Sequence, residues 1–235
     1  MSHPLKASQR FVRASIPVLV AVLLATTAHA ASYRFVESFP AANAGISSPW
    51  SYHRRGANQT LTLLPDLVWI PYNCSPVFPS YCSHTPSWGF QRQPDRIPVV
   101  YANITDQNWQ SDTGITVPRR CLMVHPGWGT KDVVVRFEVP AKPYGGSYTS
   151  GRFKGSIADL DYLGGNGVTW RVEVNGSTLY GGTLHATRAL PRSSATFPTQ
   201  TFNVSTGTTI DLVVSPNGAD ASFDTTSVCG AIVMQ

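Results

Sequence analysis

Val168-Thr-Trp-Arg-Val-Glu-Val174 alternates apolar and polar side chains and stops at Asn175-Gly176, after which Thr178–Leu184 opens a second β-like run. A two-residue type I′ turn needs positive φ at both central positions, and Asn-Gly adopts it at low steric cost. The segment therefore predicts an antiparallel hairpin. Val168, Trp170, Val172 and Val174 share one face, and Arg171 and Glu173 face away. The same grammar recurs along the chain. Asp132–Val139 (DVVVRFEV) is the strongest strand. Tyr33–Ser38, Thr60–Leu64, Val99–Ile104, Leu122–His125, Ser147–Phe153, Thr196–Val204, Thr208–Val214 and Val228–Met234 are further short runs. Turn signals such as Lys142-Pro-Tyr-Gly-Gly146, Gly164-Gly-Asn-Gly167 and Pro216-Asn-Gly218 separate them. After residue 30 no segment carries a 3.6-residue apolar stripe of helical length. The pattern predicts an all-β chain, an antiparallel β-sandwich of the jelly-roll type.

Composition agrees with that reading. Charged residues are 13% of the 235, against roughly 25% in an average soluble domain. This excludes a charge-rich helical bundle and a disordered polar tail. The stretch 65–98 breaks the rhythm: it is rich in Pro, Tyr and Trp, is weakly strand-like, and reads as a long Cys-bearing loop insertion. No internal repeat or linker divides the remainder. Residues 31–235 read as one β-sandwich domain.

Residues 1–30 are set apart. Lys6, Arg10 and Arg13 form a positive n-region, Ile16–Leu24 an apolar run, and Ala28-His29-Ala30 an A-x-A cleavage site. This is the pattern of a secretory signal peptide, and the apolar run is shorter than the ~18–20 residues of a spanning helix. Export to the periplasm or the medium is expected, with no transmembrane anchor in the mature chain. Three of the 18 Lys and Arg, and none of the 13 Asp and Glu, lie in residues 1–30. The mature chain thus carries 15 basic and 13 acidic groups, net +2. That balance removes the main support for nucleic-acid binding. All four cysteines, Cys74, Cys82, Cys121 and Cys229, lie in the mature part. An even count in an exported chain reads as two disulfides. Of three possible pairings the preferred one is Cys74–Cys82, closing a local loop, and Cys121–Cys229, joining two β-like runs.

Several segments taken in order carry a resemblance: Pro49-Trp-Ser-Tyr52, Leu122-Met-Val-His-Pro-Gly127, Val134-Val-Arg-Phe137, Val172-Glu-Val-Asn-Gly176, Gly207-Thr-Thr-Ile-Asp-Leu-Val-Val214 and Asp224-Thr-Thr226. Together they resemble a group of bacterial exported β-sandwich modules similar to galactose-binding-like, carbohydrate-binding-module jelly rolls. The Cys-bearing insertion between Leu64 and Val99 departs from that group. The resemblance implies a sandwich, and glycan or polysaccharide as the partner class. It also implies a structural Ca²⁺ near the first and last strands, which would fall to Glu37 and Asp224 with backbone carbonyls; no other cofactor is expected.

The chemistry-bearing residues are sparse. No H-E-x-x-H, G-x-S-x-G, S-x-x-K or P-loop occurs. Asp159 and Asp161, two apart, would share a strand face and repel unless a turn or a cation separates them. His125 precedes Pro126-Gly-Trp-Gly129 and is either a ligand contact or a structural histidine at a strand end. Aromatic residues give the strongest binding signal, because a ring face stacks on the C–H face of a sugar. Trp69, Tyr72, Tyr81, Trp88, Phe90, Trp109 and Trp128 are expected in or beside loops, whereas Trp50 and Trp170 belong to the core. Trp88 and Trp128, flanked by small residues, with Tyr72, Tyr81 and His125, form the candidate ligand site. The leading reading is a secreted, non-catalytic carbohydrate-binding sandwich. The alternatives are a structural or protein-interaction module of the envelope or matrix, and an extracellular hydrolase.

Overall fold

The computed structural model describes residues 30–37, 39, 48–64, 97–110, 115–129, 131–161, 164–185 and 192–235, and the backbone of 66–70 and 87–91. In chain order the strands are β1 (Ala31–Arg34), β2 (Trp50–Arg55), β3 (Leu61–Leu63), β4 (Asp66–Ile70), β5 (Ser87–Gln91) and β6 (Val99–Ala102). Then come β7 (Trp109–Gln110), β8 (Thr116–Val117), β9 (Cys121–His125), β10 (Asp132–Glu138), β11 (Ser150–Asp159) and β12 (Val168–Val174). The last five are β13 (Ser177–Leu184), β14 (Ser194–Thr196), β15 (Phe202–Asn203), β16 (Thr209–Pro216) and β17 (Thr226–Met234). No described residue is α-helical.

Apart from the short β7–β8 pair, the strands form two packed antiparallel sheets. The six-stranded sheet runs β13-β12-β16-β10-β2-β3, and the larger sheet runs β14-β11-β17-β9-β6-β5-β4. β1 completes the larger sheet alongside the second half of β17, and β15 lies on β11. The expected hairpin is β12–β13, with φ of 49° at Asn175 and 78° at Gly176. Inward residues of both sheets interdigitate in one core. Trp50, Tyr52, Val133, Val135, Phe137, Trp170, Val172 and Leu212 meet Leu122, Val124, Phe153, Ile157, Val228 and Ile232. A second, smaller cluster lies on the outer face of the larger sheet, where β7 and β8 fold over Val99, Tyr101 and Met123.

The outer face of the six-stranded sheet explains why β10 reads as continuously apolar. His53, Val134, Val213 and Arg171 stand opposite one another across four strands, so they share the outer face. Val134 and Val213 are nevertheless fully buried. Arg55, Arg136 and Arg171 lie across this face and pair with Asp132, Glu173 and Asp211, three cations against three anions. Glu173, expected to point away from Trp170, does so, yet it is buried in this network rather than exposed.

The stretch 65–98 is partly sheet. β4 and β5 pair with each other, and β5 continues the larger sheet from β6. The connection between them, residues 71–86, holds Tyr72, Cys74, Tyr81 and Cys82, and these lie outside the described residues. Cys121–Cys229 is a disulfide joining opposed positions on β9 and β17.

Candidate functional site

Three loops meet at one end of the sandwich. The first is 126–131, between β9 and β10. Gly127 donates its N–H to the Lys131 carbonyl at 2.8 Å, closing a tight turn. A Cβ at Gly127 would lie 2.9 Å from both Lys131 Cβ and Pro98 Cδ, so this turn forms only with glycine. Trp128 stands at its tip and is 51% exposed. The second loop is 217–225, between β16 and β17. The Gly129 N–H donates to the Ala219 carbonyl at 2.9 Å and ties the two loops together. The third is the β11–β12 connection, where Asn166 Nδ2 donates to the Asp220 carbonyl at 3.2 Å and Asn217 Nδ2 donates to the Asn166 carbonyl at 2.8 Å.

Phe223 is the residue at this end that the sequence reading missed. It is 38% exposed, with φ of 60°. That left-handed backbone turns the ring outward and the next side chain, Asp224, inward. Four large apolar side chains are exposed among the described residues: Leu63, Trp128, Tyr144 and Phe223. Two of the four therefore stand on hydrogen-bonded neighbouring loops.

Beneath the rings lies a buried acidic group. Asp159 ends β11 opposite Thr226, which brings Asp224 toward Asp159 and Asp161. Asp161 accepts the Thr225 N–H at 2.5 Å, and Asp159 accepts the Asp161 N–H at 3.1 Å, so this pair pins the second and third loops to the sheet. Neither oxygen of Asp224 receives a hydrogen bond of good geometry, the nearby Gly167 N–H only slightly offsetting its burial, and the residue is only 1% exposed. Burial, with Asp161, Asp220 and Asp159 as negative neighbours, pushes its carboxyl up to about 8. Burial also raises Asp159 to about 6 and Asp161 above the usual carboxylate range. Asp224 is therefore mostly a neutral acid near pH 7.

His125 sits under the Trp128 turn and is buried. Its Nδ1 lies 2.7 Å from the Pro126 carbonyl. Burial lowers its basicity, partly offset by that hydrogen bond and by Asp161. The ring is thus neutral and donates Nδ1–H to the carbonyl, which fixes the strand end from which the Trp128 turn departs.

Of the other expected site residues, Tyr72 and Tyr81 lie outside the described residues, and Trp88, Glu37 and Trp109 stand apart from the Trp128 turn. Trp88 is inside β5, not in a loop, in register with Trp69 and Ala102. Ala102 is three residues along β6 from Val99, the partner of His125. Ile70 and Ser87, where the 71–86 connection begins and ends, lie at the far end of these strands from His125. Trp109, expected in or beside a loop, opens the two-residue β7 and is buried in the outer cluster. Glu37 and Asp224 do not fit one ion. Glu37 is exposed and pairs with Arg34, beside the second half of β17, whereas Asp224 precedes its first residue. Among the described residues no group of three or more His, Cys, Asp or Glu side chains converges as a metal site.

Two described grooves lie away from this end. One, of about 430 Å³, crosses the outer face of the larger sheet; another, of about 490 Å³, lies between Pro49, Pro140 and Pro143. The Trp128 end is an open surface with two rings. The fold and this end together define an antiparallel β-sandwich module with exposed aromatic residues on its terminal loops.

No protein-family model and no curated protein matches the chain. Among solved structures it is similar to the CBM51 module of a Clostridium perfringens GH95 protein in complex with methyl-galactose. The identity is 12%, the TM-score 0.34, and the match covers 62% of this chain and 91% of that one. It is also similar to CBM51-2 in complex with GlcNAc and INT domains from Clostridium perfringens ZmpB, at 8% identity and TM-score 0.33, covering 77% and 43%. A cleaved adhesin domain of Lys-gingipain from Porphyromonas gingivalis matches at 11% identity and TM-score 0.38, covering 88% and 98%. Likeness of this degree carries no ligand from one sandwich to another.

Proposed function

We propose that this chain is an exported, non-catalytic β-sandwich module that binds carbohydrate on the open surface around Trp128 and Phe223. The observation that carries the reading is Trp128 itself. A large ring is held half-exposed at the tip of a turn made rigid by a glycine, by its own Gly127–Lys131 hydrogen bond and by the Gly129–Ala219 hydrogen bond to the next loop. Exposing a tryptophan forgoes roughly 1.5–3 kcal/mol of burial, and a rigid, exposed ring recovers it by stacking on a ligand. An open surface suits one face of a polysaccharide chain better than an enclosed single sugar. His125 and Asp161 act as positioning residues for the loops.

The N-terminal 30 residues support export, and the Cys121–Cys229 bridge suits an oxidising compartment. The competing structural reading expects a flat apolar strand face. On the six-stranded sheet the corresponding face is sealed by the Arg55–Arg136–Arg171 network, and this favours the carbohydrate reading. A glycan-array screen of the mature chain tests the proposal. Retention on neutral glycans by the wild type, lost in Trp128→Ala, is expected; no retention on any glycan would overturn it.

A further inference from the structure

The outer face of the larger sheet carries a basic groove that the Trp128 surface does not explain. Register places Arg34 on β1, Ala231 on β17 and Lys154 on β11 directly opposite one another. Opposed residues share a face, so Arg34 and Lys154 flank Ala231 at two strand spacings, about 10 Å. Arg119 and Arg120 close the groove beside the Cys121–Cys229 bridge, giving a volume of about 430 Å³. Its floor is backbone. Gly155 and Gly230 face each other across β11 and β17, and a Cβ on either would overlap the opposite strand's carbonyl oxygen.

The charges here are unbalanced. Arg34 pairs with Glu37 at 3.6 Å and Arg120 with Asp106 at 2.9 Å, both on the surface. Among the described residues Arg119 and Lys154 have no carboxylate partner, and neither has Arg152 in the adjoining hollow beyond Lys154. This excess stands out in a mature chain whose net charge is only +2. No exposed large apolar side chain lines the groove. It therefore offers no ring for a nucleobase to stack on and no apolar wedge for a bilayer. Ser32 and Ser156 add hydroxyls beside the cations. The groove fits an oxyanion carried on a hydroxyl-rich scaffold.

We propose that this groove binds the sulfate or carboxylate groups of an acidic oligosaccharide, as a second site separate from the Trp128 surface. Arg119 and Lys154 supply the principal contacts, because among the described residues no carboxylate competes for them. The cations are exposed, so binding depends steeply on salt.

Calorimetric titration of the mature chain with a heparin hexasaccharide and with a galacturonate hexamer separates the two anion sources. Binding of either at about 50 mM salt is expected. The Arg119→Gln/Lys154→Gln double variant should weaken it about tenfold and lower the log–log salt slope by about two. Lys142→Gln, which removes one positive charge outside the groove, should alter it less than about twofold. Equal binding by the double variant, equal weakening by Lys142→Gln, or no binding of either oligosaccharide would overturn the proposal. A dT oligomer bound through Arg119 and Lys154 as tightly as either oligosaccharide would also overturn it. None of these outcomes depends on Trp128, whose variant reports the first site alone.

Discussion

Arg55 on β2 and Glu173 on β12 form a bidentate pair, at 2.9 and 2.8 Å, across the two strands that separate them. Both side chains are more than nine-tenths buried, and together they roof Val134 and Val213. Burial pushes the Glu173 carboxyl up, but hydrogen bonds from Arg55 and Arg171 hold it below its ordinary value. Arg55→Ala leaves three buried acids facing two arginines, and should cost about 3–5 kcal/mol in urea denaturation. Arg55→Met with Glu173→Leu leaves Arg136–Asp211 and Arg171–Asp132 balanced, and should cost clearly less than Arg55→Ala alone. A double variant less stable than the single one would mean that the network does not behave as paired charges.

Asp224 sets a pH dependence at the other end of the molecule. Its folded-state acid strength corresponds to about 8, against roughly 4 in an unfolded chain. The protonated form is therefore favoured by folding. This contribution is fully present below about pH 4 and is lost as pH rises toward 8. Asp224→Asn keeps a neutral side chain and should flatten this part of the profile, leaving the variant more stable than wild type at pH 8.5. Melting curves between pH 5 and 9 read the difference; parallel wild-type and variant profiles would contradict it.

The Cys121–Cys229 bridge spans 108 residues of sequence and joins β9 to β17 in the middle of the larger sheet. In the chain-entropy model, closing a loop of that length contributes up to ~4–5 kcal/mol. Cys121→Ser/Cys229→Ser should lower the melting temperature well beyond what the removal of two small side chains explains. Non-reducing peptide mapping checks the pairing directly, and finding Cys121 joined to Cys74 or Cys82 would contradict it.

What the sequence made legible is what depends on short-range pattern. The β12–β13 hairpin follows from alternation and Asn175-Gly176, and β10 follows from its run of Val and Phe. The burial of Trp50 and Trp170 follows from their strand context. The burial of Trp109 beside its loop carries no sequence signal, because β7 has two residues and no period; it comes from folding onto Val99, Tyr101 and Met123 on other strands. Trp88 looked like a loop residue because Pro and Gly crowd around it, yet pairing with β6 makes it strand. Ser222-Phe-Asp224 gives no surface signal at all. One left-handed residue inverts the usual rule there, putting the phenyl ring outside and the acid inside. Asp159 and Asp161 could be paired by spacing, but Asp224 joins them only through the β11–β17 register.

Trp128 is where the account is most exposed to test. Calorimetric titration of a neutral polysaccharide against wild type and Trp128→Ala, with melting temperatures taken on the same samples, addresses it directly. The predicted result is a loss of ~1–3 kcal/mol in binding, the scale of one large apolar contact, with the melting temperature nearly unchanged. Undiminished polysaccharide binding by Trp128→Ala, or a large fall in its melting temperature, would contradict the assignment of this ring to a ligand surface.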